Sequence, residues 1–321
     1  MHKVFDNNKI GFKELVRWTK EFYKGRDKSR LMFCGENTGT HSVGLSEYLT
    51  QKGYFIWIEA PIIIKRSLGL TRGKSDKADS ARIAEYAMRH EDKAKAYTLK
   101  TKEEKDLMLL YKFRHMTATE LARKKNMLKD MEGRQYDSHY YDEIIETYRE
   151  DIKTLTERKK YYTGLIREAI MQSSAMASNY HLITSICGIG DVNATALILY
   201  TDNFTRFPSA KALGAYCGVV PYEYTSGTSI RGRSHVSFHA NRELKSLLTL
   251  AANNAVVHDP LFAGYFRRMS ERNKPRAVVI NNVRYKLLKI MVSMVKHGTP
   301  YDPYHPNPYN RVHGFKASLP S

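Results

Sequence analysis

Two aspartates three residues apart stand in the stretch GKSDKADSARIAEYA (73–87). At that spacing Asp76 and Asp79 share one face at the start of a helix. Like charges there repel, so an isolated helix gains nothing from the pair. Carboxylates converging from strand ends and a helix start can bind Mg2+, which takes oxygen ligands. Glu36, which closes the apolar run LMFCGE (31–36), is the third candidate. A metal held there would stabilise charge on an attacked phosphate. Lys74 and Lys77 beside the aspartates offset their repulsion and could touch a DNA backbone. The structural alternative is that Asp76 caps the helix or answers its dipole.

A second group of residues could do nucleophilic chemistry. TSGTSIRGRSHVSFHANREL (225–244) packs hydroxyls, glycines and basic groups into one loop. Ser226 lies between Thr225 and Gly227, where the backbone can turn sharply. Arg231, Arg233, His235 and Arg242 follow closely. A serine ringed by arginines could attack a phosphodiester, because arginine stabilises charge developing on the phosphorus oxygens. Ser-Gly is also a common turn dipeptide, and arginines also hold backbones, so spacing leaves both readings open.

A third motif, ICGIGDVNATAL (186–197), reads as the hairpin of a helix-hairpin-helix. Gly188 and Gly190 allow a tight turn whose amides meet a DNA phosphate at the next helix's N-terminus. Such contacts position without reading sequence. A plain turn between two helices is the alternative.

Three regions must position these residues. Residues 1–100 alternate helices with the apolar runs LMFCGE and YFIWIEA, which suggests an α/β sheet. Residues 101–178 are charged, helical and free of proline. Tyr141, Ile145, Tyr148, Ile152, Leu155, Lys159, Tyr162 and Ile166 follow a 4-3 alternation, a heptad seam with one polar interruption. An earlier helix near 103–131 carries Leu107, Leu110, Leu121 and Leu128, with the break at EGRQYDSHY. Two antiparallel helices of one chain and a dimer-forming coiled coil both fit. Residues 179–321 are helical around a loop-rich basic middle (221–239). They end in the proline-rich PYDPYHPNPYN, whose histidines keep no metal-ligand spacing.

Charge narrows the function. The 321 residues hold 52 Lys+Arg against 33 Asp+Glu, a net charge of +19, which points to a polyanion and to nucleic acid first. No apolar run approaches the roughly 20 residues of a membrane span, so no membrane role is expected. The opening MHKVFDNNKIGF has no apolar signal core, so secretion is not expected either. Cys34, Cys187 and Cys217 are too far apart for a zinc motif or a disulfide framework. A reducing cytosol fits.

The motifs also occur in a telling order: ENTGTH (36–41), KSDKADSARIAEYA, CGIGDVNA, RFPSAKALGAYCGVVP, SGTSIRGR, NRELKSLL, KPRAVVINNVRYKLLKIM and YDP. This series resembles the DEDD transposases of the insertion-sequence one-ten family, relatives of the pilin-inverting recombinases, over nearly the whole chain. The resemblance implies a RuvC-like (ribonuclease H-type) domain over 1–100, a coiled coil over 101–178, and a mainly helical transposase domain with helix-hairpin-helix and serine loop over 179–321. It implies that Glu36, Asp76 and Asp79 bind Mg2+ and that Ser226 becomes joined to DNA, with Ser229 and Ser234 as rivals. It further implies target and donor DNA as substrates, a non-coding guide RNA, a dimer or tetramer sharing the site, and a bacterial, nucleoid-associated location.

That family's first acidic residue is an aspartate on an N-terminal strand of the G-I-D-x-S type. The sequence has no such strand, and Asp6 is a poor substitute. The expectation is that Met1 is internal to a longer frame, or that the copy is decayed. Three of four acidic ligands predict little recombination by this chain alone. A metal-dependent junction nuclease and a non-catalytic nucleic-acid-binding remnant are the other readings.

Overall fold

A computed structural model describes residues 1–304 other than 24, 26, 68–74, 135, 137, 221, 227–229 and 236–239, with backbone alone at 29, 40, 222–226 and 230–235. The chain divides into two compact units, 1–101 and 102–321.

The first unit is a small α/β layer. Its elements run α1 (Lys9–Phe22), β1 (Met32–Glu36), α2 (Thr40–Gln51), β2 (Phe55–Glu59), α3 (Pro61–Ser67) and α4 (Asp76–Arg89). Asn8 caps α1 by accepting from the Ile10 and Gly11 amides at 2.9 and 3.0 Å. β1 and β2 pair in parallel, Met32 opposite Phe55 through Glu36 opposite Glu59. The link between them is α2, and Gly53 at φ 76° turns the chain back into β2.

Strand side chains alternate between faces, and both faces are covered. Trp57 packs with Ile64, Tyr86 and Ala87, beside Met32, Cys34 and Phe55. Ile56 packs with Leu49 and Tyr54, beside Phe33 and Ile58. This double cover explains why both strands read as continuous apolar runs rather than alternating ones. Among the described residues β1 pairs only with β2, so no more of a ribonuclease H-type sheet is present there.

The second unit opens with two long helices, α5 (Lys102–Glu132) and α6 (His139–Met171). They pair antiparallel: Lys124 meets Asp151 at 2.7 Å, Arg149 meets Glu132 at 2.9 Å, and Arg114 reaches Thr163 at 3.3 Å. The seam from Tyr141 to Ile166 is shielded while its helical neighbours are mostly exposed. Lys159 is shielded too, despite its charge. Full burial is confined to the base of the hairpin, at Leu107, Tyr111, Thr117 and Leu121 on α5 and at Leu155, Ile166, Ala169 and Ile170 on α6.

Beyond the hairpin follow α7 (Ser174–Thr184), α8 (Asp191–Tyr200), α9 (Ala210–Tyr216), β3 (Tyr222–Ser226), β4 (Ile230–His235), α10 (Arg242–His258), α11 (Pro260–Glu271) and α12 (Arg276–His297). One core joins them to the base of the hairpin. Leu107 and Ile170 share it with Ile183, Leu197, Leu248, Phe262 and Leu288. α8 is buried from Ala194 to Leu199, so its sequence is apolar all round. The proline-rich tail from residue 305 lies outside the described residues. No helix among the described residues is long and apolar enough to cross a membrane.

The basic middle differs from its sequence reading. Residues 222–226 and 230–235 form an antiparallel hairpin, with Ser226 opposite Ile230, Thr225 opposite Arg231, and an irregularity between Tyr222 and Tyr224. Tyr-Glu-Tyr-Thr has strand propensity, and a glycine-bearing turn follows it directly, which is a hairpin signal. The basic and glycine residues of IRGRSH disguise the second strand as loop.

Candidate active site

Glu36 ends β1 and is partly shielded. Beside it in register, Glu59 ends β2. Glu59 was not singled out from sequence, although FIWIE closes on glutamate as MFCGE does. Its carboxylate accepts from the Ala60 amide at 2.7 Å and from the Tyr86 hydroxyl at 3.3 Å. Burial, and then Glu59, push the Tyr86 pKa up to about 12. The same two causes push the Cys34 thiol up to about 11. A thiol so high is a poor nucleophile.

Asp76 and Asp79 both lie in the first turn of α4, which packs against β1. Ser75 does the capping, accepting from the Ala78 amide at 3.2 Å. The cap role considered for Asp76 is therefore already filled, and Asp76 and Lys77 are exposed. Asp79 accepts from Arg82 at 2.8 Å. Among the described residues no group of three or more His, Cys, Asp or Glu is placed to hold a metal. The structure thus does not gather Glu36, Asp76 and Asp79 into one cluster. Their donor chemistry nevertheless fits a hard cation, because Mg2+ commonly takes one or two carboxylates and completes its shell with water and substrate phosphates. Lys74 lies outside the described residues.

The serine stands in the other unit. Ser226 is the last residue of β3, at the turn end of the hairpin. Arg231, Arg233 and Ser234 lie on β4, while Ser229 falls outside the described residues. Arg242 opens α10 and is exposed. The chain leaving this hairpin is anchored firmly. Asn241 caps α10 and donates its amide to the Tyr216 carbonyl at 2.8 Å. Two residues on, Glu243 accepts from Tyr111 at 2.6 Å and from Tyr200 at 2.5 Å. Burial and Glu243 raise both tyrosines far above their ordinary pKa. No short-range pattern marks Glu243, because its partners come from α5 and α8.

The GIG motif does join two helices, α7 and α8. Its glycines have different duties. Gly188 has φ 91°, and a Cβ there would meet the Ala251 carbonyl oxygen at 2.8 Å. Gly190 caps α8, is exposed, and has nothing within 4 Å of a built Cβ. Asp191, next in sequence, accepts from Tyr180 at 2.5 Å and from Arg167 of α6. Burial alone would raise its pKa, but the bonds from Tyr180 and Arg167 outweigh that and hold the carboxyl below its usual value.

Comparison with known proteins gives these sites a family. Residues 1–131 match a family model described as Transposase, of the DEDD type of IS110 elements, and residues 180–267 match Transposase IS116/IS110/IS902 family. Over 305 residues the chain is 26% identical to the Pilin gene-inverting protein of Moraxella bovis, covering 93% of this chain and 90% of the relative. The Pilin gene-inverting protein of Moraxella lacunata matches with the same identity and coverage. A 121-residue stretch is 31% identical to the Insertion element IS110 uncharacterized 43.6 kDa protein of Streptomyces coelicolor, covering 38% of this chain and 30% of that one. These matches place the chain among the DEDD-type transposases and recombinases. It belongs to the IS110 family, the one its motif order resembles.

Proposed function

We propose that this protein cuts and rejoins DNA through Mg2+-binding carboxylates and a serine nucleophile, in an oligomer directed by an element-encoded RNA. The observation that carries the reading is the first turn of α4. Ser75 takes the cap there, leaving Asp76 exposed beside Asp79 on a helix packed against the strand that Glu36 ends.

Ser226 attacks a backbone phosphorus. Its Oγ–P bond forms as the P–O bond to the sugar breaks, and the leaving sugar oxygen takes a proton. A sugar hydroxyl attacking the phosphoserine link reverses these changes and rejoins a strand. Arg231, Arg233 and Arg242 supply positive charge for the phosphorus oxygens. Glu36, Asp76 and Asp79 would hold the Mg2+, with substrate oxygens completing its shell. Bound there, the cation supplies Lewis-acid stabilisation of phosphate charge. The free amides at Gly190 and the α8 N-terminus favour a passing phosphate. RNA guidance rests on the family resemblance, and assembly of two or four copies rests on that resemblance together with the long hairpin.

The test is a denaturing gel of the protein with element-end DNA, element RNA and Mg2+. A covalent protein–DNA adduct that disappears in Ser226→Ala and survives in Ser229→Ala is the expected result. The reverse pattern moves the nucleophile. Cleavage without any adduct would make the protein a metal-dependent nuclease in which water attacks. The ungathered carboxylates favour a second reading, a nucleic-acid-binding and oligomerising protein that does not cleave. Mg2+-dependent cleavage excludes it.

A further inference from the structure

We propose that the face formed by α11 and α12 is a binding surface for the phosphate backbone of double-stranded DNA. Residues 260–297 hold nine Lys and Arg against one acid, Glu271, a surplus of eight out of the chain's +19. Fold then concentrates this charge further. The Asn282 amide bonds the Tyr265 hydroxyl at 3.2 Å across the two helices, and Lys286 Nζ stands 3.8 Å from the centre of the Tyr265 ring. Lys289, one turn on, lies over Tyr285 at 5.0 Å. Arg268 is one turn from Tyr265 on α11 and is exposed.

Like charges so arranged normally attract acidic partners. Among the described residues none of Arg268, Lys286 and Lys289 is in an ion pair. Burial, and then Arg268 and Lys289, lower the Lys286 pKa, so the cluster opposes its own charging. A solvated helix face has no need to hold three cations in one another's field. A polyanion relieves the repulsion and releases its own counterions on binding.

The details favour duplex over single strands. Single-strand sites offer open aromatic platforms for base stacking. Here both tyrosine rings are partly shielded and already carry a lysine. Lysine, arginine and asparagine remain, which are groups that hold a backbone without reading its bases. The surface uses none of the residues assigned to cleavage, and a binding measurement needs no cleavage. Its failure and the failure of the serine reading are therefore separable.

The experiment is fluorescence anisotropy of the full chain with a labelled duplex of arbitrary sequence, titrated over about 50–200 mM salt. The triple variant Arg268→Gln, Lys286→Gln, Lys289→Gln is expected to bind at least tenfold more weakly. Its log affinity should fall less steeply with log salt, the slope changing by about 2–3. Lys289→Gln alone, at an exposed position, should change the slope by about 1 and guards against misfolding of the triple variant. Unfolding temperature should be equal or higher in both, because repulsion has been removed. Unchanged duplex affinity and slope in folded variants would overturn the proposal. So would a loss confined to single-stranded RNA, whereas a loss on both substrates would uphold it.

Discussion

Glu36 and Glu59 end neighbouring parallel strands side by side, each the register partner of the other. Two carboxylates at that separation repel unless something answers their charge. Glu59 is answered locally by the Ala60 amide and the Tyr86 hydroxyl. No such answer is seen for Glu36 among the described residues, which leaves it the one to take a cation. Glu36→Gln should abolish Mg2+-dependent cleavage. Glu59→Gln keeps an oxygen for Tyr86 and should retain cleavage within about threefold, a change of under 1 kcal/mol in barrier. Equal loss in the two variants, measured in one cleavage assay, would make Glu59 part of the metal site.

Asp79 separates chemistry from folding. Its partner Arg82 is a half-exposed ion pair, of a kind worth about 0–1 kcal/mol. Asp79→Asn should therefore leave the denaturation midpoint nearly unchanged and leave DNA binding intact while strand cleavage stops. Loss of binding together with stability would show that the residue is structural.

The two glycines of the turn predict opposite phenotypes. Gly188→Ala forces a side chain onto a positive φ and into the Ala251 carbonyl, at a cost of about 1–3 kcal/mol. Gly190→Ala has open space and an ordinary φ of −98°. Its loss of capping preference is at most about 1 kcal/mol, and it should weaken DNA binding more than it lowers the melting temperature. Thermal melts and binding curves on the same two variants decide this.

Glu243 is the hub on which two helices hang from the start of α10. Removing it in Glu243→Ala leaves two shielded tyrosine hydroxyls without an acceptor and should cost about 2–4 kcal/mol in urea unfolding. Tyr111→Phe and Tyr200→Phe should each cost less than that. Additive effects in the double variant would argue against a shared hub.

Stability should depend on pH at both ends. The folded chain holds the Tyr86 proton up to about pH 12, while the unfolded chain releases it near 10. Stability is then unaffected by this group below about pH 10 and falls as pH rises from there toward 12. Tyr111 and Tyr200 are raised in the same sense. Asp191 is lowered, so its contribution is present above the ordinary carboxylate value and is lost as pH falls through its folded value. Tyr86→Phe should flatten the alkaline fall, and Asp191→Asn the acid one, in denaturation midpoints taken across pH.

The legible parts of this chain were those written in local repeats. The seam from Tyr141 to Ile166 and the paired apolar runs read directly, because periodicity reports which side faces inward. The strand pair 222–235 did not, since arginines and glycines fill positions where strand formers were looked for. Glu243 and Asp191 were hidden for a different reason. Tyr111 is 132 residues from Glu243, and Arg167 is 24 from Asp191, and sequence pattern carries no record of which distant hydroxyl or guanidinium meets which carboxylate. The aspartate pair was legible as a pair, while the cap that frees Asp76 depended on knowing where the helix begins.

The hairpin of α5 and α6 has a buried base and an outer half, between Leu121 and Leu155, in which no described residue is fully buried. Lys124–Asp151 and Arg149–Glu132 join the helices there instead. Amide exchange should consequently be graded along it, slow near Tyr111 and Ile166 and fast toward Tyr141, because local opening follows the burial that must be given up. Salt would steepen the gradient by screening the outer pairs alone. The far end is therefore a region that can fray and re-form on its own while the base stays shut, so a partner arriving there would meet helices it must first help to order.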